Sequence, residues 1–169
     1  MLPLLRIAHI VSGAFWVGSI VFIAAFLVPT IRKVGAPGGA VMGHLTQVRF
    51  LPQWLLAAGL VTLLSGLALY WHVSGGLQTA WVHSGTGTFF TIGATLAILA
   101  IILGVTVNSP TAKRVGAIMA ARSAAAGPPS SEELGQIQAL QIRLARATVA
   151  AAVLLVGATM AMAVARYIP

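Results

Sequence analysis

Cysteine is absent from this chain of 169 residues. Its absence excludes disulfide bonds, thiolate metal sites, covalent attachment of c-type haem and cysteine nucleophiles. Histidine is then the main candidate ligand for a metal ion, and the chain contains four histidines. Their positions relative to the apolar segments therefore decide whether a metal site can form.

Acidic residues are almost as scarce, because the chain contains only Glu132 and Glu133. Both lie in a polar segment between apolar runs, so no carboxylate is expected inside the membrane. A proton relay or an acid/base site built from membrane-embedded carboxylates is thereby excluded. This scarcity argues against a transporter with an acidic proton-coupling residue and against a hydrolytic enzyme.

Charged residues of either sign make up 7% of the chain, whereas 59% of it is hydrophobic. A chain of this composition cannot cover an apolar core with a polar surface, so we expect a polytopic membrane protein. The net charge of +8 would indicate a nucleic-acid partner in a soluble protein. Here the basic residues flank apolar runs, which is typical of membrane proteins. The expected partner is the lipid bilayer, not nucleic acid.

Four apolar runs predict membrane spans over about residues 4–31, 50–72, 81–108 and 147–166. About 20 helical residues cross the hydrocarbon core, so each run is long enough. The first run is too long for the apolar region of a signal peptide and is predicted to be a membrane helix. The predicted fold is all-α, a single domain over residues 1–169 that forms an up-down bundle of four transmembrane helices.

The segments between the spans also carry structural signals. The glycine-rich GAPGG at residues 35–39 predicts a flexible turn after the first span. Residues 112–126 and 132–146 predict two helical extensions in the third loop, separated by GPPSS. Ser130 or Ser131, followed by the two glutamates, predicts the start of the second extension.

The basic residues are distributed unequally between the two sides of the membrane. Eight of the ten fall in the first and third loops, namely Arg32, Lys33, Arg49, Lys113, Arg114, Arg122, Arg143 and Arg146. Only Arg6 and Arg166 lie on the opposite side. Because Lys and Arg accumulate on the cytoplasmic side, both termini are expected outside, in a multi-pass protein of a bacterial inner (plasma) membrane.

The first span contains the most informative histidine, His9, about one turn inside its start. An ionisable side chain at this depth is costly and usually has a partner. On a helix His9 shares a face with Gly13 and Trp16, so the glycine would leave a hollow beside the imidazole. This pattern predicts a site for a flat ligand, with Trp16 as its aromatic wall.

The third span repeats the pattern, because His83 precedes Gly87 by four residues and Phe90 by seven. The first and third helices of an up-down bundle run in the same direction and lie diagonally, so the two histidines would sit at similar depth. Two neutral imidazoles on one iron predict a bis-histidine haem b. Arg6 would pair with the haem propionates.

The other two histidines lie near the ends of spans, and each candidate residue also has an interpretation that involves no ligand. His72 ends the second span on the same side and is the reserve axial ligand, whereas His44 lies on the other side. His72 and His83 are also typical of interfacial residues that contact lipid headgroups and water. His9 fits a packed neutral histidine equally well, and Arg6 fits a side chain that snorkels to the interface.

Small residues mark one face of the second span. Gly59 and Gly66 lie seven residues apart with Thr62 between them. Close backbone approach at small residues is a main source of helix association in lipid. This stripe therefore predicts a helix-packing face.

The first span, LLRIAHIVSGAFWVGSIVFIAAFLVP, and the second, RFLPQWLLAAGLVTLLSGLALYW, together resemble a known group. The group comprises small four-helix bacterial membrane proteins of the copper-resistance D and DUF2269-like type. The protoporphyrinogen oxidase HemJ family is more distantly similar. The resemblance rests on the early His9 and on the W-x-G of Trp16 to Gly18. It implies a four-helix membrane fold, with haem b as the cofactor of the HemJ-like branch.

Three functional hypotheses follow. The leading one is a b-type cytochrome with its haem iron near the external face, which exchanges electrons with quinone or another redox protein. The second is a cofactor-free structural or accessory membrane protein that assembles as a homo-oligomer through its glycine faces. The third, implied by the resemblance, is a haem-linked oxidase or a copper-handling protein.

Overall fold

The computed structural model describes residues 1–124 and 130–168, and all regular elements within those two stretches are helices. Four of these helices are long and apolar enough to cross a membrane, which confirms an all-α, multi-pass membrane protein. The helices are α1 (Leu2–Val34), α2 (Ala36–Gly43), α3 (Leu51–Val73), α4 (Thr79–Val82), α5 (Gly85–Arg122) and α6 (Ser131–Ala165), and a π-helical turn over His44–Val48 follows α2.

Two prolines lie within the long helices, and a π-helical turn before each of them lets the helix continue. Pro29 has no N–H, and its ring would collide with the carbonyl of Ala25 in a regular α-helix. A π-helical turn over Ile23–Leu27 accommodates this proline within α1. The turn Gly104–Asn108 accommodates Pro110 in the same way. The third spanning helix therefore continues beyond Asn108, as expected, although residues 125 and 126 of the predicted extension lie outside the described residues.

The prediction of a flexible turn at GAPGG is wrong except at its first residue. Gly35, with a φ of +75°, ends α1, and the next residues form α2. Pro37 is tolerated there because it lies in the first turn, where its missing N–H removes no helical hydrogen bond. A Cβ on Gly38 would lie 2.6 Å from the carbonyl oxygen of Ile31. The reversal is thus a tight corner that depends on glycine.

The third spanning helix begins later than residue 81. Thr79–Val82 forms the separate turn α4, and α5 starts at Gly85. Between them Ser84 adopts an extended backbone, and its Oγ accepts a hydrogen bond from the Gly87 N–H at 3.1 Å. Serine is a favoured N-cap because this bond satisfies a free backbone donor. The cap therefore overrides the apolar run that suggested an earlier start.

The spanning helices form two closely packed pairs, α1 with α3 and α5 with α6. The pairs meet through smaller interfaces between α1 and α6 and between α3 and α5. This arrangement places the helices in ring order, with α1 and α5 on a diagonal. Trp16 is only 6% exposed at the centre, where it packs with Ala97, Ala100, Leu155 and Ala158.

The outward faces of the spanning helices are apolar. Ile10 on α1 is 65% exposed, and Val153 on α6 is 66% exposed. Such a continuous apolar exterior would be unfavourable in water. The bundle therefore presents this surface to the lipid bilayer.

Residues 109–124 pack against the first part of α6, and these two helical segments are here called the helical hairpin. A capping box starts α6: the Ser130 Oγ accepts from the Glu133 N–H at 3.1 Å, and a Glu133 oxygen accepts from the Ser130 N–H at 2.9 Å. Arg122 lies 3.7 Å from the same carboxylate. The predicted helix start at Ser130 is confirmed.

The Glu133 carboxylate should make this hairpin sensitive to acid. The Ser130 backbone N–H, followed by the Arg122 charge, holds the pKa of Glu133 below its ordinary value of 4.5. A lowered folded-state pKa stabilises the hairpin above the ordinary value, and the stabilisation is lost as the pH falls through the folded-state pKa. Hydrogen exchange, corrected for intrinsic rates, should show protection of the hairpin amides falling in this acidic range. Glu133→Gln should flatten that pH dependence, and an identical profile in Glu133→Gln would contradict the assignment.

Candidate functional site around His9

The imidazole of His9 lies against the backbone of α3. Its Nδ1 is 2.8 Å from the carbonyl oxygen of Thr62, and a Cβ on Gly66 would lie 2.7 Å from its Cε1. A side chain at position 66 would therefore occupy the space of the ring. The absence of that side chain forms a notch in α3, and the half-buried imidazole fills it.

The hydrogen bond to Thr62 fixes the tautomer of His9. A backbone carbonyl can only accept, so Nδ1 carries the hydrogen and donates it. The neutral ring then keeps its lone pair on Nε2, which has no hydrogen-bond partner among residues 1–124 and 130–168. Metal-binding histidines commonly donate their other ring N–H to a carbonyl in this way. The geometry is suited to a metal on Nε2.

The other two residues of the first pattern serve helix packing. A Cβ on Gly13 would lie 3.4 Å from the Thr62 Cγ2, so α3 fills the hollow expected beside His9. Trp16 lies against Gly59, whose Cβ would be 3.1 Å from the indole, and it fills the bundle centre. The geometric expectation of an open hollow at Gly13 is therefore wrong. The predicted packing face of α3 is confirmed, and it receives α1.

The second pattern does not form one helical face. His83 is exposed in the turn before α5, where its Nδ1 lies 2.9 Å from the Thr79 carbonyl oxygen. Because Ser84 ends the helical register, Gly87 and Phe90 belong to a different helix from His83. A Cβ on Gly87 would overlap the Trp81 carbonyl oxygen, so glycine at this position lets the backbone of the preceding turn lie against α5.

Phe90 belongs to an aromatic cluster at the same end of the bundle. Its ring stacks on Trp81 at a centroid distance of 6.3 Å, and Trp81 meets Tyr70 edge-on at 5.3 Å. The Tyr70 hydroxyl lies 2.6 Å from the Thr91 Oγ1. The cluster therefore ties α3 to α4 and α5.

The remaining predicted residues lie near the ends of the helices. Arg6 is exposed in the first turns of α1, and His72 is exposed in the last turn of α3. The antiparallel α1–α3 pair puts both at the end of the bundle that also carries His83. His44 lies at the opposite end. In the described part of the chain, no three residues of the types His, Cys, Asp and Glu form a metal-binding group.

Comparisons with known proteins identify no homologue of this chain. No protein-family model, curated protein or solved structure matches the chain. A functional proposal therefore depends on the chemistry of the residues around His9.

Proposed function

We propose that this chain is a membrane-bound b-type haem protein for electron transfer, with His9 as an axial ligand. The observation behind the proposal is the hydrogen bond from His9 Nδ1 to the Thr62 carbonyl, which leaves Nε2 free. Imidazole suits iron, and no thiolate or carboxylate competes within the spans. A bound haem b would supply reversible one-electron chemistry at its iron.

The protein's own contribution is to hold the imidazole in place. The Thr62 carbonyl orients the ring, and Gly66 gives it room. Because Trp16 fills the bundle centre, the proposed site is confined to the end that carries His72 and His83. Arg6 at this end is the candidate partner for the propionates.

His83 is the proposed second ligand, with His72 as the reserve. The His83 Nδ1 also donates to a backbone carbonyl, so its Nε2 keeps a lone pair as that of His9 does. His72 also lies at this end of the bundle. Quinone or another redox protein at the external face is the proposed electron partner.

A cofactor-free structural or accessory protein is the second candidate. The contacts that orient His9 also join α1 to α3, so they favour a packing histidine as well. Such a protein would use glycine faces to form homo-oligomers.

The visible spectrum of the purified full chain separates the two candidates. The haem protein is expected to show a Soret band with sharp α and β bands on reduction. Expression with ample haem supply removes cofactor shortage as an explanation of a colourless product. A colourless, folded protein under those conditions would favour the accessory candidate.

The His9 end of the bundle faces the outside of the cell only if the unequal distribution of Lys and Arg between the loops sets the membrane topology. Eight of ten basic residues flank the spans on the side of the first and third loops, so we propose that both termini are external. An alkaline phosphatase fusion after residue 169 should be active, and one within residues 35–39 inactive. The reverse pattern would put the His9 end of the bundle in the cytoplasm.

A further inference from the structure

A groove runs along the outside of the bundle between α1 and α6. One part has a volume of about 480 Å³ and is walled by residues that include Val21, Ala25 and Met160. A second part, about 410 Å³, reaches Arg32 and Arg146. Both parts are lined by Ala24 and Val149, so they are continuous.

The groove has the dimensions and lining of an acyl-chain site. The α1–α6 interface is small, and alanines at positions 24, 25 and 152 leave space between the helices. From Arg146 to Met160, α6 extends about 21 Å at about 1.5 Å per residue. One leaflet of the hydrocarbon core is about 15 Å thick, so the groove is long enough for one lipid chain.

The two arginines give the groove a charged end. The chain's only acidic side chains are Glu132 and Glu133, and Glu133 lies about 20 Å along α6 from Arg146, at about 1.5 Å per residue. The described residues give neither Arg32 nor Arg146 a salt bridge, whereas Glu133 pairs with Arg122. Guanidinium groups bind phosphate oxygens strongly and with defined geometry. The arginine pair is therefore complementary to a phosphate at the membrane surface.

We propose that this groove binds one anionic phospholipid, with its phosphate at Arg32 and Arg146 and an acyl chain along the apolar part. Basic pockets between transmembrane helices are known to select anionic headgroups. A spanning helix of a second copy fits less well, because the spans contain no carboxylate to meet the arginines. The site lies at the end of α1 opposite His9 and does not depend on haem.

Native mass spectrometry of the full chain in detergent tests this site with phosphatidylglycerol and phosphatidylcholine of identical acyl chains. Phosphatidylglycerol should be retained about thirtyfold more strongly, because the choline cation of phosphatidylcholine cancels the net negative charge that attracts the two arginines. Arg32→Gln combined with Arg146→Gln should abolish the preference. Lys33→Gln combined with Arg143→Gln removes the same charge beside the groove and should preserve it.

A second pair of variants tests the acyl part of the groove. Ala25→Phe fills the groove and should reduce retention of both lipids, whereas Ala14→Phe, at an exposed α1 position outside it, should not. Equal loss in both charge variants would overturn the proposal in favour of diffuse surface attraction. Unchanged retention in Ala25→Phe would overturn the acyl assignment. A dimer that only Ala25→Phe dissociates, with no lipid preference in the parent, would assign the groove to a second copy instead.

Discussion

His9→Ala is expected to abolish the low-spin haem spectrum or convert it to a high-spin one. The variant removes the only imidazole in the interior of α1, and the Thr62 carbonyl then keeps only the Ser65 hydroxyl as a side-chain donor. His83→Ala should have the same effect if it supplies the second ligand. Absorption and electron paramagnetic resonance spectra of the purified variants would distinguish loss of haem from loss of one ligand.

His44 and His72 provide the comparisons for this experiment. His44→Ala should leave the spectrum unchanged, because the residue lies at the other end of the bundle. His72→Ala decides which residue is the second ligand. Loss of the low-spin signal in His72→Ala, with a normal spectrum in His83→Ala, would place the second ligand on α3.

Gly59→Val should strongly lower the stability of the bundle. Its Cβ would lie 3.1 Å from the Trp16 indole, which is held in the bundle centre by α5 and α6. Overpacking a tight core costs about 1–3 kcal/mol, and the immobile indole favours the upper end of this range. For a chain of this length, that corresponds to a lowering of Tm by about 10 °C.

Gly18→Val is the matched control, because a Cβ on Gly18 meets no atom within 4 Å. Valine also has a better helix propensity than glycine, so this variant should unfold at or above the parent temperature. Thermal unfolding in detergent, followed by helical circular dichroism, gives both values. Equal melting temperatures for the two variants would contradict the close packing of α1 on α3.

Hydropathy was sufficient to predict the four spans, because the need to bury backbone polar groups in lipid leaves few folds for such a sequence. Local backbone chemistry decided what hydropathy could not. The Ser84 cap delays the start of α5, and Pro29 and Pro110 are absorbed by π-helical turns. The prediction that His83, Gly87 and Phe90 share one helical face is wrong because the Ser84 cap separates His83 from the helix that carries the other two.

Part of the environment of His9 was predictable from the sequence. His9, Gly13 and Trp16 have spacings of four and three, and Gly66, Thr62 and Gly59 have the same spacings in the opposite direction. In an antiparallel pair such mirrored spacings bring matching positions together. The groove between α1 and α6 was not predictable in this way, because it depends on how far apart non-consecutive helices settle.

Imidazole rescue of His9→Gly tests the central claim most directly. The glycine variant removes the ligand at α1 and leaves the notch at Gly66 open. If His9 is an axial ligand, the variant should lose the low-spin spectrum and regain it when imidazole is added, whereas His44→Gly should not respond. A His9→Gly protein that retains the parent's low-spin spectrum without imidazole would contradict the account.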